Sequence, residues 1–176
     1  MGLTPDEVVA RVRALVPDAT VPPAETTRGQ AVVVVAREQA AEALRVLRAD
    51  RTLDLDQLSD VTCVDYLGRT PRFEVVYQLR SLAKTHRLRV KVPVPAEDPT
   101  VPSAVPLWPS ANWAEREVWD LFGIRFTGHP DLRRILMYES FEGHPLRKDY
   151  PVNRRQPLVP ERDPLQQPWS PRPRGT

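Results

Sequence analysis

Two histidines are the first residues whose type and spacing suggest chemistry. The stretch "FTGHPDLRRILMYESFEGHPLRKDYP", residues 126–151, contains Phe-x-Gly-His-Pro twice, and basic side chains follow each copy. An imidazole there would serve as a metal ligand or a general base. His129 and His144 lack the i, i+4 spacing of a helical metal pair and a third convincing ligand, and no recognisable motif places a serine or cysteine nucleophile. We therefore predict no catalytic residue and no bound metal, and we expect the rings to hydrogen-bond local backbone.

The glycine and proline beside each histidine indicate a structural role. Gly128 and Gly143 can adopt positive φ, and a residue before proline favours extended backbone. Each Gly-His-Pro should therefore form a tight reversal with a rigid exit. The exits would aim four basic side chains outward, namely Arg133 and Arg134 after the first turn and Arg147 and Lys148 after the second.

Cofactor chemistry finds little support in the composition. Cys63 is the only cysteine, which excludes an internal disulfide and a cysteine-ligated iron–sulfur cluster, and its strand-like surroundings predict a buried thiol. The seven glycines are scattered singly, so no glycine-rich phosphate loop is present. We predict that this chain binds no cofactor.

The formal charge is divided unevenly along the chain. Five arginines and two acidic residues follow Tyr150 and give that part +3, so the first 150 residues carry −1 of the total of +2. A near-neutral body argues against nucleic-acid binding. The chain also has no apolar run long enough to span a membrane, and its start does not resemble a secretory signal, so a cytoplasmic location is expected.

Residues 110–122 are predicted to form a helix that ends at Gly123. Its core face would contain Ala111, Ala114, Val118, Leu121 and Phe122. Asn112, Arg116 and Asp120 follow at i, i+4 steps on the opposite side, where Arg116 and Asp120 can pair. Trp113 and Trp119 flank this polar row, a composition typical of an interface centre. The alternative is that loops of the same chain, such as residues 124–150, cover them.

The remaining elements indicate an α+β fold. A capped helix from Thr4 to Pro17 precedes a buried strand over 31–36, a helix over 38–49, and alternating strands over 60–67, 72–80 and 87–94. We predict a single domain over 1–150, with a mixed, largely antiparallel sheet of about four strands covered by helices and followed by the interface helix. Residues 151–176 hold seven prolines and form an extended Pro/Arg-rich tail.

One family resemblance rests on these same residues. "NWAEREVWDLFGIRFTGHPDLRRILM" and "FEGHPLRKDYP" resemble the signature of the C subunit, the 30 kDa subunit family, of proton-translocating NADH-quinone oxidoreductase (respiratory complex I). The resemblance is dense over 102–152, whereas over 1–100 only the order of elements agrees. The family often has another aromatic residue at the position of Trp119, and the link "MYESF" is less typical.

The resemblance implies a non-catalytic accessory subunit of the peripheral arm. The enzyme transfers electrons from NADH through FMN and iron–sulfur clusters to quinone, coupled to proton translocation, and those cofactors belong to neighbouring subunits. This chain would dock beside the quinone-site and terminal-cluster subunits, as a peripheral membrane protein on the cytoplasmic side. The expected partner interface comprises Trp113, Arg116, Glu117, Trp119, Asp120, His129, Arg133, Arg134, His144, Arg147, Lys148 and Asp149.

Two alternatives remain open at the level of sequence. The first, close to the leading interpretation, is the equivalent subunit of a related membrane-bound hydrogenase, or of a complex fed by ferredoxin or a deazaflavin. A polyanion-binding module that uses the tail arginines is the alternative from a different class, and its affinity would fall steeply with salt.

Overall fold

The computed structural model describes residues 2–23 and 27–156, and the elements within them confirm the α+β class. Three α-helices, six β-strands and one short 3₁₀ helix have their bounds in these residues. In chain order they are α1 (Pro5–Leu15), β1 (Val32–Val34), the 3₁₀ helix (Arg37–Gln39), α2 (Ala40–Ala49), β2 (Gln57–Asp65), β3 (Phe73–Arg80), β4 (Arg87–Val94), β5 (Thr100–Pro102), α3 (Ala111–Phe122) and β6 (Arg125–Thr127).

The main sheet has four strands in the order β1-β4-β3-β2. Strands β2, β3 and β4 form the predicted antiparallel meander, and β1 adds to β4 in parallel. The sequence left this strand order open. A bulge interrupts the pairing of β2 with β3 between Leu58 and Asp60.

Helices α1 and α2 supply the apolar residues that pack on the inner face of the sheet. The α1 start is the predicted capping box, because Glu7 N–H donates to Thr4 Oγ1 and Thr4 N–H donates to Glu7 Oε2. Val8 and Val12 of α1 and Leu44 and Leu47 of α2 are fully or almost fully buried. Together with the inward side chains of the sheet they form one hydrophobic core.

Helix α3 joins this core from the side of β2. Trp108, just before the helix, is buried and donates from Nε1 to the Leu55 carbonyl at 3.1 Å, and Ser110 Oγ donates to the Leu58 carbonyl at 3.0 Å. These two bonds hold the start of α3 against the chain that enters β2. After α3, β6 pairs in parallel with β5, a small sheet that the sequence patterns did not predict.

The predicted tail 151–176 lies mostly outside the described residues, which end at Gln156. Its predicted extended conformation therefore stays a prediction. Within the described ranges, none of the helices has the length and apolar composition that crossing a membrane would require.

Candidate docking surface

The polar row of α3 binds the segment that follows the helix. We call residues 126–151 the Gly-His-Pro segment. The Asn112 carbonyl accepts a hydrogen bond from His129 Nε2 at 3.0 Å. One turn later the Arg116 guanidinium donates to the carbonyls of Arg133 and Arg134 at 3.1 and 3.0 Å. The segment therefore runs along the helix in the same direction as the row.

Asp120, the third member of the row, is fully buried and binds the next part of the segment. Its Oδ2 accepts from three successive backbone N–H groups, those of Ile135, Leu136 and Met137, at 3.1, 2.8 and 2.8 Å. Burial acts to raise the pKa of Asp120, but these N–H groups and the Arg134 guanidinium outweigh it and hold the pKa below its ordinary value. The carboxylate is therefore kept ionised inside the fold.

Two predictions about Asp120 and Arg134 are wrong. Asp120 pairs with Arg134, at 2.6 Å between Oδ1 and Nη1, and not with Arg116. Arg134 does not point outward, because it also donates to the carbonyls of Phe141 and Gly143 and its side chain is only 14% exposed. Both charges bind each other and the backbone, so neither is presented to a partner.

The second Gly-His-Pro turn folds back onto the end of α3. His144 Nδ1 donates to the Asp120 carbonyl at 2.9 Å, and its ring meets Trp119 edge-on, with centroids 6.4 Å apart. Trp119 is consequently half-buried by its own chain. For this residue the alternative applies, in which residues 124–150 cover the tryptophan. Burial holds the pKa of His144 below its ordinary value and outweighs the hydrogen bond to Asp120, so the ring is neutral near pH 7.

Both histidines therefore have the predicted structural role. His129 accepts at Nδ1 from the Asp131 N–H at 3.0 Å while its Nε2 binds Asn112, and His144 binds the Asp120 carbonyl. Gly128 and Gly143 have φ of 81° and 90°, as the tight reversals require.

The contact between Gly123 and His144 gives a test of this arrangement. A Cβ at Gly123, where φ is 78°, would lie 2.7 Å from His144 Cδ2, whereas a Cβ at Gly128, where φ is 81°, would meet nothing within 4 Å. Gly128→Ala should therefore cost only the left-handed strain of about 1–2 kcal/mol in the free energy of unfolding. Gly123→Ala should cost clearly more in urea denaturation, because it also displaces the His144 ring. Equal losses in the two variants would show that the close packing of the His144 ring against Gly123 does not contribute to stability.

The end of the segment is fastened to the main sheet. Arg72 donates to both oxygens of Asp65 at 2.8 Å and to Asp149 Oδ2 at 2.9 Å, while the backbone N–H of Lys148 donates to Asp65 at 2.8 Å. The Arg72 guanidinium is the main cause that lowers the pKa of Asp65, and it lowers the pKa of Asp149 to about 2. Sequence reasoning missed this network, because Asp65 and Arg72 are far along the chain from Lys148 and Asp149.

The prediction that Arg147 points outward is also wrong. Its guanidinium lies 5.1 Å from the centroid of the Phe73 ring, and its side chain is 24% exposed. The aromatic face and the carboxylate of Asp149 hold the charge against the sheet. Lys148 is exposed, as expected.

Glu115, which sequence reasoning did not single out, is the buried acid on the core side of α3. Ser103 Oγ donates to its Oε2 and the Ala104 N–H donates to its Oε1, both at 2.6 Å. Burial raises the pKa of Glu115 to about 7 against the effect of these two donors. The hydroxyl of Tyr77 is also buried and has no hydrogen-bond partner within the described residues, and burial, with the charge of Glu115, raises its pKa.

Several predicted interface residues remain open to solvent. Trp113 is 71% exposed, although the other large apolar side chains of α3 are buried or half-buried. Glu117 and Arg133 are exposed as well, and among the described residues Arg133 forms an ion pair only with Asp131. Leu136 and Leu146 of the Gly-His-Pro segment add apolar surface, at 57% and 51% exposure. We call these five residues, Trp113, Glu117, Arg133, Leu136 and Leu146, the candidate docking surface.

The described residues hold no group of three or more histidine, cysteine or acidic side chains placed to bind a metal. Cys63 is buried as predicted, and burial raises the pKa of its thiol to about 12. The thiol is therefore protonated and a poor nucleophile.

Comparison with known proteins identifies the family. The model of the family described as "Respiratory-chain NADH dehydrogenase, 30 Kd subunit" matches residues 33–156. The chain belongs to this 30 kDa subunit family. The match covers the main sheet, α3 and the Gly-His-Pro segment, so the buried network and the candidate docking surface both lie inside the family's own region.

Relatives within the 30 kDa subunit family are similar along most of their length. The C subunit of NADH-quinone oxidoreductase from Roseiflexus castenholzii is 51% identical over 86% of this chain and 87% of its own. The protein of the same name from Geobacter sulfurreducens is 49% identical over 78% of this chain and 81% of its own. The family resemblance drawn from the sequence is confirmed.

Two solved structures share the fold of this family member. The trypsin-resistant fragment (1–134) of Nqo5 is 38% identical, covers 72% of this chain and 98% of its own, and has a TM-score of 0.62. A chain of the membrane-bound sulfane sulfur reductase, an archaeal respiratory membrane complex, is 22% identical and covers 84% of this chain and 86% of its own. Its TM-score of 0.72 shows a common fold.

Proposed function

We propose that this chain is a non-catalytic subunit of NADH-quinone oxidoreductase that docks beside the quinone-site subunit and the terminal-cluster subunit of the peripheral arm. Membership of the 30 kDa subunit family and the relatives from Roseiflexus and Geobacter support the assignment to this enzyme. In the proposal the chain lies on the cytoplasmic side and reaches the membrane only through the complex. The observation that supports docking best is the exposed Trp113 beside a segment fixed by buried charges.

The internal network explains how a docking surface is held in shape. Asp120 and Arg116 fix the backbone of the Gly-His-Pro segment from inside, so the outward side chains of that segment have defined positions before any partner binds. Such preorganisation lowers the entropy lost on association. Trp113 and Leu136 then supply the exposed apolar surface that anchors interfaces.

The same residues support a role without chemistry of its own. The buried carboxylates and histidines that would attract attention as acids, bases or ligands are each bonded to backbone or to an internal arginine. In the proposal FMN, the iron–sulfur clusters and quinone are held by neighbouring subunits, and this chain binds none of them. The NADH-quinone oxidoreductase relatives favour NADH as the electron donor over ferredoxin or a deazaflavin.

Replacing Trp113 by alanine tests the proposal. The ring is 71% exposed, so the isolated chain should keep its circular dichroism spectrum and melting temperature. Loss of a buried interface tryptophan costs about 2 kcal/mol or more, which is about a 30-fold weaker Kd for the quinone-site and terminal-cluster subunits. Surface plasmon resonance with those subunits measures this change.

Leu82→Ala is the matched control, since Leu82 is an exposed apolar residue at 54% outside α3 and the Gly-His-Pro segment. It should leave capture unchanged. Unchanged capture by the Trp113 variant, or equal losses in both variants, would contradict the proposed docking surface.

A further inference from the structure

Three arginines lie on the outer face of the main sheet, which is the face opposite the hydrophobic core. Arg80 of β3 stands directly opposite Arg87 of β4, and Arg89 stands opposite Gln78. Directly opposed residues of an antiparallel pair point to the same face, and so do residues two apart in one strand. The three guanidinium groups are therefore neighbours at one end of that face.

These arginines have no carboxylate partner among the residues that the structure describes. Arg89 donates from Nε to the Gln78 side chain at 3.3 Å, and Arg80 Nε is buried with no hydrogen-bond acceptor. The other end of the same face is different, because Lys91 pairs there with Glu74 at 2.9 Å. Like charges opposed across two strands destabilise a sheet, so the fold gains nothing from Arg80 beside Arg87.

The cluster surrounds a concavity of about 470 Å³ beside the β2 bulge. Ser59 and Asp60 from the bulge and Gln78 complete its polar lining. We propose that this concavity binds an acidic segment of a neighbouring subunit, whose aspartate or glutamate carboxylates pair with Arg80, Arg87 and Arg89. Each planar guanidinium group can donate two parallel hydrogen bonds to one carboxylate. The side chains of Ser59 and Gln78 can hydrogen-bond to the backbone of the bound polypeptide.

Charge argues against other occupants. Residues 157–176 of this chain carry three arginines and two acidic residues, so the tail is not complementary to the cluster. A nucleic acid would need a basic stripe that follows its phosphates, whereas the basic groups of the cluster occupy one end of the face and Lys91 at the other end is paired with Glu74. An anionic membrane surface is broad and flat, whereas the three arginines line a recess.

The inference rests on the proposed function, since it assigns a second contact of the same protein within the enzyme. The test uses the full chain co-expressed with the other subunits, with the photo-crosslinker p-benzoylphenylalanine in place of the exposed Ser59. After irradiation of the assembled complex, mass spectrometry should identify one crosslinked peptide from another subunit, rich in aspartate and glutamate. The R80Q/R87Q/R89Q variant should reduce its yield about tenfold or more, because three charge-assisted contacts are lost.

The matched control R45Q/R48Q/R51Q removes three arginines in and just after α2 and should leave the crosslink unchanged. A crosslink to lipid, to a second copy of this chain or to a segment without acidic residues would overturn the inference, as would no crosslink in an assembled complex. A chain that fails to join the complex at all would instead contradict the proposed function, and this inference with it.

Discussion

Replacing Asp120 by alanine is expected to lower the free energy of unfolding by about 3–5 kcal/mol, because it leaves the Arg134 charge buried without its partner. The variant also leaves the N–H groups of Ile135, Leu136 and Met137 without their acceptor. A loss of this size is a large part of the total stability of a domain. Urea denaturation followed by circular dichroism measures it.

Asp131→Ala is the matched control for this prediction. Asp131 pairs with Arg133 on the surface, with side-chain exposures of 55% and 72%, so its loss should cost less than about 1 kcal/mol. Similar losses at Asp120 and Asp131 would show that the buried carboxylate does not hold the Gly-His-Pro segment. Because the pKa of Asp120 is lowered in the fold, its contribution is present above the unfolded pKa and is lost as the pH falls through the folded value.

Glu115→Gln is expected to change how stability depends on pH. The pKa of Glu115 rises from 4.5 to about 7 in the fold. Its effect on the free energy of unfolding is therefore most favourable at low pH, where the group is protonated in both the folded and the unfolded state. Between pH 4.5 and 7 the unfolded chain ionises first, and stability falls by an amount on the order of 3 kcal/mol. Glutamine keeps the shape without the charge, because its Oε1 can accept from the Ala104 N–H while its Nε2 donates to Ser103 Oγ, as a protonated carboxyl group would. The variant should therefore be more stable than the wild type at pH 8 and similar to it at pH 4.5.

Glu117→Gln, two residues further along α3 and exposed, is the control for this pH effect. Its difference from the wild type should be small at every pH. The measurement is the free energy of unfolding in urea at several pH values between 4.5 and 8. A Glu115→Gln difference that does not vary over this range would show that the buried carboxyl group is not neutral in the fold.

The local elements followed from the sequence because their signals are local. The Thr4 capping box, the alternation of β3 and β4, and the glycine that ends α3 each involve residues within one or two turns or strands. The two Gly-His-Pro reversals were predictable for the same reason, since positive φ at glycine and extended backbone before proline are properties of neighbouring residues.

The partners of the buried charges did not follow from the sequence, because tertiary contacts decide them. At i, i+4 spacing Arg116 and Asp120 are an expected surface pair, yet the returning chain offers Asp120 three N–H groups and Arg134 at once. Glu115 likewise has no sequence signal of burial, yet it is fully buried and accepts hydrogen bonds from the loop at Ser103 and Ala104. Arg72 and Asp149 meet across 77 residues of sequence.

The most direct test of the docking role is purification of the tagged full chain from cells that express the other subunits. The proposed docking role predicts a complex with one copy each of this chain, the quinone-site subunit and the terminal-cluster subunit, which persists at about 0.5 M salt, a concentration that screens exposed charges. Recovery of the chain alone, or only with polyanions that this salt releases, would contradict it.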